Sequence, residues 1–350
     1  MKKAFFYGVL AALPILILEG LFRLLPVSNP PYLEPVTGRD PVVHYQRNVD
    51  YRYSNGWNFA IRARTRTNNY GYHHRSDYRP QDTTPLLMVV GDSFVEAQAL
   101  DTGKSVADLL HATVADKGRV YGIGISGAPL SQYLAFAEFS RDTFRPRAMA
   151  FVIIGNDYDE SLLKYKSEPR FHYFAEGRDG LELQRVDYSR STVKTLLRES
   201  AFVRYVVLNV APARIFHQSA QAEPADRIAD SKRAVDYFLE QVPLKTGLAA
   251  DAVVFVVDAV RPAMYSAETL RAAESGYESR MRQYFIEQAQ RRGFTVLDLQ
   301  PVFLRRHEQD GARFEFPTDG HWNELGHRVV AEEIRNTPLF ARLFPIEGAH

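Results

Sequence analysis

Residues 86–90, Leu-Leu-Met-Val-Val, are apolar at every position, and four comparable runs follow at Arg119–Ile123, Ala148–Ile154, Ala252–Val257 and Thr295–Leu297. A strand with one wet face alternates apolar and polar residues. A strand that is apolar almost throughout must be covered on both faces, which is the situation of a parallel sheet between two layers of helices. Helical periodicity lies between and after the runs, near 104–116, 130–142, 228–247, 270–292 and 324–336. The alternation therefore predicts an α/β fold with a parallel sheet.

The segments outside this frame read differently. Two lysines precede an apolar stretch that no charge interrupts from Ala4 to Leu18. Continued to Leu25 it would make roughly 33 Å of helix, against a hydrocarbon core of about 30 Å. Residues 1–26 are thus expected to form a retained, single-pass membrane anchor. Lys2 and Lys3 would stay cytoplasmic, and the rest of the chain would lie on the periplasmic or extracytoplasmic side of the inner membrane. Cleavage as a signal peptide is the alternative, although no A-x-A site follows. Residues 27–84 begin with a proline-rich linker and continue into an arm whose alternating stretches around Asn55-Gly56 suggest a small hairpin. The catalytic domain is expected over 85–340. Its third and fourth runs are too far apart for a simple crossover, so about 157–230 reads as an insertion. Its stretch STVKTLLRESAFVRYVVLNVAPARIF is helical in pattern. Residues 341–350 read as a tail.

Composition narrows the chemistry. With no cysteine, disulfides, thiolate metal sites and a cysteine nucleophile are excluded. A formal net charge of +1 provides no overall field for nucleic acid, and none is expected as a partner. His73-His74 lack acidic or sulfur ligands at metal spacing, so neither a metal nor a cofactor is expected.

In an open parallel sheet, ligands bind beyond the carboxyl ends of the strands. The residues expected there are Gly91-Asp92-Ser93-Phe94 after the first run, GIGISGAP after the second and Gly155-Asn156-Asp157 after the third. FPTDGHWNELGH follows nearer the C-terminus. A serine, a glycine turn, an asparagine and an Asp/His pair on one edge are the parts of a serine acyl-transfer site. Each also has a plainer reading. Ser93 suits a helix N-cap, Asp92 orders the turn, and Asn156 caps a loop. Gly122, Gly124 and Gly127 spell a literal G-x-G-x-x-G, which in a dinucleotide fold would seat a pyrophosphate. Here it follows the second strand rather than the first, and some twenty residues on stand Arg141 and Asp142 within a helix.

Taken in order, the four blocks resemble the SGNH hydrolases, a branch of the GDSL esterase/lipase group. Ser93 in GDSF, Gly127 in GISGAP, Asn156 in GND and His321 in DGHWN match the four named positions. The resemblance implies a flavodoxin-like three-layer α/β/α sandwich. It also implies a site in which Ser93 attacks an ester carbonyl, His321 takes its proton and Asp319 orients the imidazole. The oxyanion hole would be the N–H groups of Ser93 and Gly127 with the Asn156 amide. The last block departs from the usual D-x-x-H: Thr318 stands at the usual acid position, and Asp319-Gly320-His321 makes D-x-H. Residues two apart in an extended segment share a side, so Asp319 can still reach the ring. Some SGNH-like alginate O-acetyltransferases carry a similar D-x-H-W.

The expectation is a serine esterase acting on an acylated small molecule or polysaccharide of the cell envelope. Two alternatives stand beside it: an O-acyltransferase of an envelope polysaccharide, and a catalytically silent carbohydrate-binding protein.

Overall fold

The structure, a computed structural model, describes residues 2–38, 40–114, 117–189, 191–210, 224–261 and 263–345. From the N-terminus, helix α1 (Lys2–Leu24) leads through two short strands, β1 (Leu33–Glu34) and β2 (His44–Tyr45), into a hairpin of β3 (Asp50–Asn55) and β4 (Ile61–Arg66). Next come β5 (Leu86–Gly91), α2 (Ser93–Glu96), α3 (Val106–Val114), β6 (Arg119–Gly124), α4 (Leu130–Phe144) and β7 (Ala148–Ile153). The inserted part holds α5 (Asp157–Glu160), a hairpin of β8 (His172–Gly177) and β9 (Gly180–Arg185), α6 (Thr192–Glu199), α7 (Ala201–Tyr205) and a π-helical turn at Val206–Val210. Helix α8 (Pro224–Thr246) then leads to β10 (Val253–Val257), α9 (Ala267–Glu274), α10 (Tyr277–Arg291), β11 (Thr295–Asp298) and α11 (Leu299–Asp310). A short hairpin of β12 (Glu315–Phe316) and β13 (Asp319–Trp322) precedes α12 (Glu324–Arg335) and α13 (Pro338–Leu343).

The five apolar runs form one parallel sheet in the order β11-β10-β7-β5-β6. Every residue of β5, β6 and β7 is buried, as expected for strands covered on both faces. Alternate side chains of β5 enter two separate cores. Leu86, Met88 and Val90 pack with α4, α8 and α10, including Phe136, Phe238 and Phe285. Leu87 and Val89 pack with α3, α11 and α12, including Leu110, Phe303 and Val330. This is a three-layer α/β/α arrangement. In chain order the sheet strands run 2-1-3-4-5, so the direction of winding reverses between β5 and β7. A crevice opens there beyond the strand ends.

Several elements depart from the sequence reading. The pattern over 270–292 divides into α9 and α10, because the chain breaks at Ser275-Gly276 and restarts with Gly276 in extended geometry. Helix α11, capped by Asp298 and closed by Gly311 at φ 70°, was not among the expected helices. Residues 341–343 belong to α13 rather than a tail, and Phe344 is buried beside Gly118. The end of the helical stretch read into the insertion, 211–216, lies outside the described residues.

The anchor expectation over 1–26 finds no support in the fold. Among the described residues no helix is long and apolar enough to cross a membrane, and nothing is described of the side chains of residues 1–6 and 8–12. The described part of α1 is engaged with the insertion. Glu19 accepts hydrogen bonds from Ser200 Oγ (2.6 Å) and the N–H groups of Ala201 (3.0 Å) and Phe202 (3.1 Å), capping α7. Phe22 stacks on Tyr205 at 4.4 Å between ring centroids.

Candidate active site

The turn after β5 sets the geometry of Ser93. Gly91 is required there, because a Cβ would come within 2.5 Å of Val95 Cγ2 and the chain could not fold back. Asp92, buried, is the N-cap of α2: its Oδ1 accepts the Phe94 N–H at 2.9 Å. The capping task thus falls to Asp92, and the Ser93 hydroxyl is left available. It lies 2.7 Å from His321 Nε2 and 3.3 Å from Asp92 Oδ2.

His321 arrives on β13. The strand is extended, so Asp319 and His321 share one side while Trp322 is buried on the other. Asp319 Oδ1 meets His321 Nδ1 and also accepts the His321 backbone N–H at 2.9 Å. A carboxylate on Nδ1 holds the proton there and leaves Nε2 as the acceptor facing Ser93. Burial alone would push the imidazole down, but the hydrogen bond and charge of Asp319, with Asp92 and Glu96 nearby, outweigh it and hold His321 above its ordinary value. Asp319 is also desolvated, yet the bonds from His321 and Asn55 keep it below the usual carboxylate range. Burial pushes Asp92 up to about 6.

Ser93, Gly127, Asn156 and His321 line one cleft of about 570 Å³. Gly127 adopts φ 81°, a backbone conformation suited to glycine, and its carbonyl accepts Lys166 Nζ at 2.8 Å. Among the described residues no acceptor is paired with the backbone N–H of Ser93 or of Gly127. Asn156 is exposed at the start of α5, and its amide donates to Glu160 Oε2 at 3.2 Å, away from Ser93. Its neighbour Asp157 is wholly buried and structural, with Oδ2 accepting Ile154 N–H (2.8 Å) and Tyr133 O–H (3.0 Å). Lys166, Arg170, Arg261 and Arg282 line the cleft together with Asp92, Glu160, Glu168, Asp258 and Glu278, so its wall presents both signs of charge.

The glycine pattern at 122–127 has a packing explanation. Gly122 and Gly124 lie within β6, and a Cβ on Gly124 would come within 2.5 Å of the Asp92 carbonyl. The glycines admit the Ser93 turn and leave no phosphate loop. His327, six residues past His321, is buried. Its Nδ1 accepts the Val106 N–H at 3.2 Å, and burial lowers it to about 3.

Two parts of the site have no local signature. Asn55, at the tip of the β3–β4 hairpin, donates to Asp319 Oδ2 at 3.1 Å. Arg261, with only 4% of its side chain exposed, ties the β12–β13 hairpin down. It donates to the Gly320 carbonyl at 3.1 Å and pairs with Asp258 and Glu315, while Trp322 Nε1 donates to Asp258 Oδ1 at 3.0 Å. Asn55 stands in YSNGWN and Arg261 in VDAVRPA, both far along the chain from D-G-H-W, and neither stretch carries a sign of that contact.

No curated protein matches the chain. Among solved structures, TesA aligns with TM-score 0.41 and 15% identity, over 74% of this chain and 99% of its own. A lipase/acylhydrolase from Enterococcus faecalis aligns with TM-score 0.41 and 11% identity, over 72% of this chain and 93% of its own. Axe2-W215I, an acetyl xylan esterase from Geobacillus stearothermophilus, aligns with TM-score 0.40 and 16% identity, over 76% and 97%. Residues 221–345, which carry Asp319 and His321 but not Ser93, match the family described as SGNH hydrolase-like domain, acetyltransferase AlgX. Over that stretch the chain is similar to an SGNH hydrolase-like domain.

Proposed function

We propose that the chain is a serine acyl-transfer enzyme that cleaves an acyl ester, with acetyl esters of a carbohydrate as the substrate class. The observation that carries the reading is the continuous array Ser93 Oγ, His321 Nε2, His321 Nδ1, Asp319 Oδ1 at the mouth of the cleft. Ser93 Oγ bonds to the ester carbonyl carbon as His321 Nε2 takes the hydroxyl proton. The oxyanion draws on the free N–H groups of Ser93 and Gly127, and on the Asn156 amide once it turns from Glu160. Collapse breaks the bond to the alcohol oxygen, which leaves with the proton held by His321. The acyl group then remains on Ser93 until an incoming hydroxyl, activated by the same imidazole, displaces it.

Water as that hydroxyl makes an esterase, and a sugar hydroxyl makes an O-acetyltransferase. The second reading has an observation of its own, the likeness of residues 221–345 to a domain described with an acetyltransferase. A silent binding protein would have no need of a serine and histidine 2.7 Å apart. The test is incubation with an activated acetyl ester, with and without oligosaccharide acceptors, while mass spectrometry follows free acetate and acetylated sugar. Ser93→Ala should abolish both products; a wild-type rate in that variant sinks the reading. We also propose that residues 1–26 hold the protein at a membrane with the cleft on the extracytoplasmic side, on the strength of Lys2 and Lys3 before the apolar stretch. Recovery of the full chain in the soluble fraction of its own cells would refute that.

A further inference from the structure

Asp319 uses one oxygen twice, for the His321 ring and the His321 backbone N–H. Its other oxygen is met by Asn55 Nδ2 at 3.1 Å, from a hairpin 264 residues earlier in the chain. The hairpin tip is not free to move. Asn209, buried in the π-helical turn of the insertion, donates to Ser54 Oγ at 3.3 Å and to the Gly56 carbonyl at 3.1 Å, one residue to either side of Asn55. Tyr205, one turn earlier, donates to the Trp57 carbonyl at 2.8 Å and packs its ring on Phe59 at 5.4 Å.

We propose that Asn55 is a positioning residue for the Asp319–His321 pair, and that the insertion holds it in place through Asn209. The proposal rests on the acyl-transfer reading of the site. A carboxylate gripped only along the Oδ1 edge can swing its plane about the Cβ–Cγ bond. A second donor on Oδ2 fixes that plane, and with it the direction in which Nε2 faces Ser93. The insertion thereby acts on the site without touching substrate, since it holds the Ser54 hydroxyl on one side of Asn55 and the Gly56 and Trp57 carbonyls on the other.

Three variants of the full chain test this on an activated acetyl ester, with Ser93→Ala as the control for the site itself. Asn55→Ala should lower kcat about 10- to 100-fold with KM unchanged, the cost of a small misalignment at the reacting atoms. Asn55→Asp keeps the shape but turns a donor into a second carboxylate facing Asp319. It should be slower than Asn55→Ala, and its added negative charge should move the limb of the pH–rate profile set by His321 to higher pH. A role in hairpin shape alone would give the reverse order, with the isosteric Asn55→Asp close to wild type, and that order overturns the proposal. So does a wild-type kcat in Asn55→Ala. Asn209→Ala should give a smaller kcat loss, again at unchanged KM. A wild-type kcat there, with Asn55→Ala impaired, overturns the hold exerted by the insertion. Should Ser93→Ala remain active, the acyl-transfer reading fails first, and that result is distinguishable from any of these.

Discussion

Replacing Asp319 by asparagine probes the short D-x-H spacing directly. Asp319 Oδ1 accepts from both His321 Nδ1 and the His321 backbone N–H, and Oδ2 accepts from Asn55. An asparagine can offer only one oxygen. If its amide nitrogen faced His321, it would oppose the backbone N–H, donor against donor, and would demand the unproductive tautomer. The backbone N–H therefore selects the orientation with the oxygen on His321, and the Asn55 amide turns over to present its oxygen to the new nitrogen. The tautomer survives and the charge does not. Loss of both has a cost of about 10⁴ in kcat in serine triads. Loss of the charge alone should cost about 10²–10³, or roughly 3–4 kcal/mol of barrier. The pH dependence has a fixed sign. The base must be neutral, so kcat/KM rises with pH through the value for His321. Asp319 holds that value above the ordinary one, and in Asp319→Asn it should fall, moving the limb to lower pH. Steady-state hydrolysis of an activated acetyl ester across the titration range of imidazole measures both. Equal kcat and superimposable profiles would show that the carboxylate has no part in the reaction, leaving a Ser93–His321 dyad.

Two further substitutions address the oxyanion and the scaffold. Asn156→Ala should lower kcat about 10²–10³-fold with a smaller effect on KM if its amide leaves Glu160 to meet the oxyanion; unchanged kcat would assign it to the Glu160 bond seen here. Arg261→Ala strands Asp258 and Glu315 at a buried position and should destabilise the fold by about 3–5 kcal/mol. Denaturant titration reads this directly, and a midpoint equal to wild type would show that water reaches the pair.

The strands of the sheet were legible because burial on both faces leaves a run apolar at nearly every position, whatever packs on it. The observed β5, β6 and β7 fall within one residue of the runs read from sequence. The helices were less legible where one periodicity spans a break. Tyr277–Arg291 continues the apolar stripe of Ala267–Glu274, and only the backbone at Gly276 separates them. Helix α11 has a proline near its start, a place where the missing N–H costs nothing.

The same division runs through the site. Ser93, Gly127, Asn156, Asp319 and His321 stand in short blocks, because the local backbone of a tight turn or an extended strand decides what such residues present, and local backbone is written in neighbouring residues. The sequence by itself thus determined the sheet, the edge on which the chemistry gathers and the pairing of Asp319 with His321. The tertiary structure alone decided that Arg261 holds the β12–β13 hairpin and that Asn55 completes the environment of Asp319. Those contacts join segments 59 and 264 residues apart, through side chains whose types suit a solvated turn equally well. Hydrogen bonds of that reach depend on how whole elements dock, and docking is set by the two cores on either face of the sheet rather than by any residue near the contact.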